Sequence, residues 1–351
     1  MSRKFALHKL IGWIILLSSF VAGWIIMDIQ FFMRSSLTLP VTGGHQAQDS
    51  SVMPGGWRFT IEPGSNLTAV AYKLQRLNIL EHPRYLLWSA RWQDKANQIK
   101  AGEYIIEPGT TVAALLEKIT RGDVIQYPLA IIEGWTFRQL LQYLAGLDAL
   151  KHTLDGLPQE EVMVRIGKAG EHPEGRFFPD TYYYTRGMSD IKVLHRAYQA
   201  MEQFLSQAWQ ERDTGLPYQS AYEALTMASI IEKETAAPEE RGQIAGVFVR
   251  RLQKRMRLQT DPTVIYGIGE HFDGNLRRRD LKTDTPYNTY RRHGLPPTPI
   301  ALPGADSIMA ALHPEDGDTL YFVARGDGSH YFSATIAEHN RAVRKYQLKR
   351  R

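Results

Sequence analysis

The stretch "ASIIEKETA", Ala228 to Ala236, sets Glu232 and Glu234 at the end of an otherwise apolar run. Two positions apart on a helix, these carboxylates project to different sides and are not a facing pair. On a wheel from Ser220 to Thr235, Glu232 falls beside Ala221, Leu225 and Ala228, and Glu234 beside Glu223, Met227 and Ile230. An acid on an apolar stripe has two readings. The plainer one is a buried structural carboxylate bonded to an arginine or to backbone amides. The other is a carboxylic acid kept protonated by desolvation, able to donate a proton near neutral pH. Cleavage of a glycosidic bond needs such an acid to protonate the departing oxygen. The small side chains of Ala221 and Ala228 leave room for a ligand beside it.

Other chemistries are poorly served. The chain has no cysteine, which excludes thiolate nucleophiles, disulfides and cysteine-zinc sites. Eleven histidines occur without an H-E-x-x-H, and His271, His293, His313, His330 and His339 lack ligand spacing, so no metal or cofactor is expected. A G-x-S-x-G elbow, a P-loop and a G-x-G-x-x-G are also missing from the sequence. The formal charge of +5 favours acidic partners such as nucleic acid, anionic lipid or a carboxylate-bearing polymer. The segments "RLQKRMR" and "LRRRD" could suggest nucleic acid, but an exported chain makes solvated faces or an acidic-polymer groove the better reading. Phe177, Phe178 and Tyr182 to Tyr184 read as core.

Export is argued from the N-terminus. Arg3, Lys4 and Lys9 precede "LIGWIILLSSFVAGWIIMDI", Leu10 to Ile29, whose one charge is Asp28. About 20 residues at a rise of roughly 1.5 Å span a bilayer's hydrocarbon. The basic flank predicts a cytoplasmic N-terminus of residues 1–9 and an exported body. The stretch is long for a signal-peptide core and no small-x-small site follows it, which favours an uncleaved anchor. Residues 30–56 read as a linker, Gly, Ser and Gln-rich from Thr42. Three related phrases follow: "FTIEPGSNLTAVAYKL" from Phe59, "YIIEPGTTVAALLEKI" from Tyr104 and "LAIIEGWTFRQLLQYL" from Leu129. Each is a β-rich run, an acid, a glycine turn and a helix with Ser65 or Thr110 as the expected cap. In the second, Val112, Leu115, Leu116 and Ile119 form a helical stripe. The phrases argue for small α+β modules over 57–150 rather than a solenoid of fixed period.

From about 150 the pattern changes. "PEGRFFPDTYYY" is turn-rich, helices are predicted over Val193–Arg212 and Ser220–Thr235, and Pro238 opens a third. That helix carries an apolar face of Ile244, Ala245, Val247, Phe248 and Leu252, and a basic one of Arg250, Arg251, Lys254 and Arg255. Loops, a hairpin over "LYFVARGDGSHYFSAT" and a basic terminal helix complete the chain.

Taken together, "EGRFFPDTYYY", "MASIIEKET", "LQTDPTVIYG", "YNTYRRHGLPPTPI" and "EHNRAV", in that order, resemble the endolytic murein transglycosylases of the YceG-like family. With the apolar N-terminus and the repeated phrases, the resemblance covers nearly the whole chain. It implies an α+β protein of the inner membrane, single-pass, with its body in the periplasm. A LysM-like peptidoglycan-binding module would occupy 57–150 and a mixed α/β catalytic domain 151–351. It implies a lyase that cuts MurNAc-GlcNAc bonds within peptidoglycan strands, leaves 1,6-anhydro ends and terminates nascent glycan, with peptidoglycan synthases as partners. Glu232 falls on the family's catalytic acid. Gln259, Thr260, Asp261, Thr263, Tyr287 and Asn288 lie in the family's loops and are the candidates to line the groove; Asp261 and Asn288 would serve equally as turn formers. The rival from another class is a non-catalytic glycan-binding scaffold that tethers wall-synthesis enzymes.

Overall fold

The computed structural model describes residues 2–39, 52–53, 55–235 and 237–348, so the centre of the expected linker lies outside the described residues. The chain forms two compact units, Met1–Tyr127 and Pro128–Arg351.

The first unit opens with helix α1, Ser2–Arg34, of which Leu10–Arg34 is long and apolar enough to cross a membrane. Its one acid, Asp28, accepts a hydrogen bond from Tyr85 Oη at 2.6 Å. Phe32 packs edge-on against Tyr85, and Met33 and Leu37 enter the unit's core. The charge that interrupts the apolar run therefore docks onto the unit, together with residues expected in the linker. Strands β1 (Val52–Met53), β2 (Gly56–Ile61) and β3 (Gly102–Ile106) form an antiparallel sheet in which Phe59 faces Tyr104. Along β2, Trp57, Phe59 and Ile61 are buried in the period of two that a half-covered sheet requires. Helices α2 (Leu67–Arg76) and α3 (Pro83–Trp92) lie between β2 and β3 in sequence, and α4 (Val112–Arg121) follows. The stripe predicted on α4 is buried in full.

The caps sit one residue later than Ser65 and Thr110. Asn66 accepts from Ala69 N at 2.8 Å and Thr111 from Ala114 N at 3.1 Å. Ser65 and Thr110 instead close the preceding turns, their amides donating to Glu62 and Glu107 carbonyls at 3.1 and 3.0 Å. Gly64 and Gly109 hold the third position of those turns at φ +82° and +85°, a conformation open to glycine and costly to other residues.

The units divide just inside β4 (Tyr127–Ala130), whose residues from Pro128 belong to the second unit; β4 pairs with β5 (Thr181–Tyr184). Around them lie α5 (Phe137–Ala145), α6 (Gln159–Arg165) and α7 (Asp190–Gln210). Then come α8 (Ala221–Glu234), α9 (Arg241–Gln253, entered through a 3₁₀ turn at Pro238–Glu240), α10 (Asp261–Ile268), α11 (Arg278–Lys282) and α12 (Ala305–Leu312). The antiparallel hairpin β6 (Tyr321–Ala324) and β7 (His330–Ser333) precedes α13 (Ile336–Val343). The unit is mainly helical with two small sheets, rather than the mixed α/β domain expected. The compact units divide at 127/128, not at 150, because the third repeated phrase packs into the second unit: Phe137 stacks on Phe177, ring centroids 4.9 Å apart. Phe177, Tyr182 and Tyr184 are core as expected and Phe178 packs partly buried against it, but Tyr183, on the other face of β5, is exposed.

Helix α8 is enclosed. Every residue from Ala224 to Ile231 is buried, the polar Thr226 and Ser229 included, so the helix is covered around its whole circumference. The expected basic face of α9 is likewise not solvated throughout. Arg251 is buried and donates to the Leu320 and Leu258 carbonyls at 2.6 and 2.7 Å, while Arg250 Nε reaches the Thr319 carbonyl at 2.8 Å. These arginines clamp loops rather than offer a surface to a polyanion.

Glu174 ties three segments. Its carboxylate accepts from Phe137 N at 2.9 Å, at the start of α5, and from Tyr266 Oη at 3.0 Å, on α10. Burial pushes this carboxyl up to about 7, against those hydrogen bonds. A raised carboxyl stabilises the fold fully below its unfolded pKa near 4.5, and that stability is lost as pH rises through about 7. Glu174→Gln stays neutral and keeps an acceptor. Its stability relative to wild type is expected to rise by up to about 3 kcal/mol between pH 4.5 and 7.5. Denaturant melts across that range check this, and parallel pH curves for the two proteins would reject it.

Candidate active site

The site is built on the last turn of α8. Ser220 caps the helix start, accepting from Glu223 N at 3.3 Å, and Glu232 emerges at the other end beside the start of α12. Glu232 Oε2 accepts from Gly304 N at 3.0 Å and from Ser307 Oγ at 2.7 Å. Its Oε1 faces the Arg241 guanidinium at 4.0 Å, and its side chain is only 7% exposed. A carboxylate at a helix start gains from the free amides and the helix dipole. Arg241 leads α9 and also pairs with Asp306 at 2.9 Å; its Nε is buried without a hydrogen-bond partner among the described residues. The immediate surroundings of Glu232 are thus polar, and include the amide and arginine that a structural carboxylate would have. With Oε2 engaged by two donors, Oε1 is the oxygen available to exchange a proton.

Glu234 points elsewhere, as the wheel requires. Its Oε2 accepts from Thr260 Oγ1 at 2.5 Å, binding the end of α8 to the start of α10. Burial raises this carboxyl above the usual range, and the charge of Asp261 adds to the effect against the Thr260 bond.

The loop candidates separate into two groups. Thr260, Thr263 and Asn288 are buried and engaged internally. Thr263 Oγ1 donates to the Thr260 carbonyl at 2.8 Å, and Thr260 N donates to Thr289 Oγ1 at 3.1 Å. Asn288 Nδ2 reaches the Leu281 and Thr283 carbonyls at 3.1 and 2.6 Å. Their side chains build the loops instead of lining a groove. Gln259 and Asp261 are exposed and Tyr287 half-buried. Gln259 holds a left-handed backbone at φ +54°, Asp261 accepts from Tyr290 Oη at 2.6 Å, and Tyr287 Oη shares a hydrogen bond with Thr298 Oγ1 at 2.9 Å.

The residues that surround Glu232 escape sequence reasoning. Gly304 and Ser307 lie 72 and 75 positions along the chain, on the helix opened by "PGADS". Glycine and serine before an apolar helix signal a cap, and nothing local tells which carboxylate it faces. Glu133, on the turn between β4 and α5, also belongs here. Gly134 N donates to the Leu302 carbonyl at 2.8 Å, and Lys233 Nζ to the Gly134 carbonyl at 3.1 Å. The turn is bonded both to α8 and to the segment leading into α12.

Fold and site define a two-unit α+β protein whose larger, helical unit holds a nearly buried glutamate at a helix start. The chain belongs to the YceG-like family, whose model matches residues 59–345. A crystal structure of a yceG-like protein from Listeria monocytogenes is similar, with a TM-score of 0.50 and 33% identity over 81% of this chain and 98% of that one. An endolytic murein transglycosylase of Bacillus subtilis is 42% identical over 182 residues, 50% of this chain and 49% of the relative. One of Streptococcus pneumoniae is 32% identical over 200 residues, 53% of this chain and 34% of the relative. The chain thus spans half or less of the length of these curated relatives.

Because Glu234 is buried and turned toward Thr260, Glu234→Gln is expected to keep the fold and most of the activity. Glu232→Gln is expected to lose at least about a hundredfold in activity, the usual worth of a positioned acid. Side-by-side assays on peptidoglycan check the order, and a reversal would make Glu234 the acid.

Proposed function

We propose that the protein is an endolytic lytic transglycosylase that acts on peptidoglycan and terminates nascent glycan strands. The observation that carries the reading is a nearly buried carboxyl with one oxygen anchored by two hydrogen bonds and the other left without one, facing Arg241 at 4.0 Å, in a chain related to proteins named endolytic murein transglycosylases. Glu232 donates its proton to the oxygen between N-acetylmuramic acid and N-acetylglucosamine as the bond from the muramic anomeric carbon breaks. The C6 hydroxyl of the same muramic residue then attacks that carbon, and its proton passes to the carboxylate, restoring the acid. A 1,6-anhydro ring closes. An intramolecular nucleophile needs neither a water site nor a carboxylate nucleophile, and gains from its proximity.

The same reading makes α1 a retained inner-membrane anchor with the body in the periplasm, and the first unit a LysM-like glycan-binding module. Its support is the apolar length of α1 and the strand-helix-helix-strand order over 56–106. Gln259, Asp261 and Tyr287 are then the loop groups with surface left for the glycan. Peptidoglycan synthases are proposed partners.

Digestion of glycan strands, read by mass spectrometry, tests the chemistry. New muramic ends are expected to be lighter than reducing ends by one water, with cuts inside strands. Reducing ends would mean hydrolysis, and uncut strands a binding scaffold. The anchor is checked separately: full-length chain is expected in the membrane fraction, its body open to protease from the periplasmic side only, and a shortened soluble form would reject retention.

A further inference from the structure

Tyr85, Trp88 and Trp92 recur at intervals of three and four along α3 and so stand on one face of the helix. Leu86 and Ala90, on the opposite face, belong to the core of the first unit. The two tryptophans are thereby turned outward, and Trp92 is 77% exposed. Arg84 and Arg91, both exposed, flank them. A tryptophan left in water forfeits one of the largest apolar burials that a side chain offers. Two of them on a helix of ten residues mark a surface that something covers.

The same face is fixed to the end of the apolar helix α1. Tyr85 Oη donates to Asp28 at 2.6 Å, and a row of rings runs from Phe32 on α1 through Tyr85 to Trp88, centroids 5.5 and 6.0 Å apart. Asp28 stands at the end of the apolar run, the level at which a chain that spans a bilayer meets the headgroups. Trp24 and Phe31, four positions before it and three after, are exposed on α1, as the aromatic belt of a membrane boundary would be. No slack separates α1 from the unit. Just past Arg34 the chain pairs with the start of α4: Leu37 N donates to the Thr110 carbonyl at 2.9 Å and Val112 N to the Ser35 carbonyl at 3.1 Å. The first unit is thus fixed at the exit of α1 rather than hung from it.

We propose that the aromatic face of α3 is a second membrane contact: Trp88 and Trp92 set their rings among the lipid headgroups beside α1, and Arg84 and Arg91 reach lipid phosphates. The proposal rests on α1 being a retained anchor. Tryptophan suits that boundary because its ring is apolar and its N–H still finds a polar partner there. Arginine suits it because an apolar stem can lie along the rings while the guanidinium stays in water. A glycan strand could also stack on exposed rings. The bilayer is favoured because Trp88 shares its stack with a residue of α1, and because Asp28, whose depth the apolar run sets, is bonded to the same face. A face held by lipid is closed to glycan, so the glycan surface of this unit then lies elsewhere on it.

The chain has no cysteine, so a single one can be placed and labelled at will. The test puts a nitroxide on single cysteines of the full chain, reconstituted in vesicles of phosphatidylethanolamine and phosphatidylglycerol. Collision with oxygen, which concentrates in the bilayer, is compared with collision with a nickel chelate, which stays in water. Trp88→Cys and Trp92→Cys each leave the other ring in place. Leu17→Cys, in mid-span, and Glu62→Cys set the two limits. Glu62 is exposed and follows Ile61, whose partner Gly102 lies at the end of β3 remote from the turn that α1 meets. Labels at 88 and 92 are expected to favour oxygen over the chelate severalfold more than the label at 62. With the label on Arg91→Cys, replacing both tryptophans by serine is expected to shift it toward the limit set at 62 while the melting temperature holds, since the rings lie outside the core. Labels at 88 and 92 that match 62 while 17 is shielded overturn the proposal and leave the anchor standing. Shielding that appears only on adding glycan strands also overturns it and gives the face to glycan. A label at 17 open to the chelate would reject the anchor, and the proposal with it.

Discussion

The second unit depends on one contact between distant parts of the chain, the Glu232 carboxylate set into the start of α12. A buried carboxylate needs donors, and α12 needs an acceptor for amides that its own helix leaves unpaired. Each answers the other. The helix presents Gly304 N and Ser307 Oγ to one oxygen, which fixes the side chain without engaging the second oxygen. Truncating either partner would leave polar groups orphaned in a nearly water-free place, at a cost of about 1 to 3 kcal/mol each. The contact is thus both a weld between α8 and α12 and the feature that leaves Oε1 without a hydrogen bond, facing Arg241.

That weld explains why α8 is buried on every side. The helix carries Glu232 into the interior of the unit, so its flanks must be buried against α7, α9, α10 and α12. Its last turn, where Glu232 and Glu234 diverge, meets polar partners, and in its middle Ser229 accepts from Ile300 N at 2.9 Å. Glu232 turns to α12 and Glu234 to Thr260, Thr263 on α10 bonds Thr289 in the segment after α11, and Asn288 holds that segment to the Thr283 carbonyl. Rigid loop construction of this kind spends buried side chains on backbone carbonyls. The exposed residues between them, Gln259 and Asp261, are then displayed in fixed positions.

What was legible in the sequence follows from how local each signal is. Helix α8, the stripe on α4 and the hairpin after α12 were readable because periodicity and turn signals are properties of a few neighbouring residues. So was the divergence of Glu232 and Glu234, which is helix geometry alone. Other features depended on residues far along the chain. The wheel could not show that α8 is enclosed, since burial on every side looks like a stripe when only one side is sought. Thr260, Thr263 and Asn288 read as groove residues because they are polar and were expected in loops; Thr263 lies on α10, and the backbone carbonyls that Thr263 and Asn288 bond lie outside any local pattern. Arg250 and Arg251 looked solvated for the same reason. The cap shifts at Asn66 and Thr111 were in principle readable, because a glycine held at the third position of a turn consigns the next residue to closing it.

Glu133 shows how a repeat can be read for its exceptions. Two turns with Pro-Gly and one with Glu-Gly differ by a substitution that a turn tolerates but does not favour, since proline fixes the backbone angle that the position needs. The weaker residue is retained where the turn faces Gly304, against which the Glu133 carboxyl lies. Gly304 in turn lacks a side chain although its backbone angle does not demand glycine. Two unfavoured choices, at positions 133 and 304, become one consistent choice once they are seen to meet: each makes sense only through the other. Local preference is given up where a contact between distant segments matters more, and here both losses fall within the surroundings of the same carboxylate.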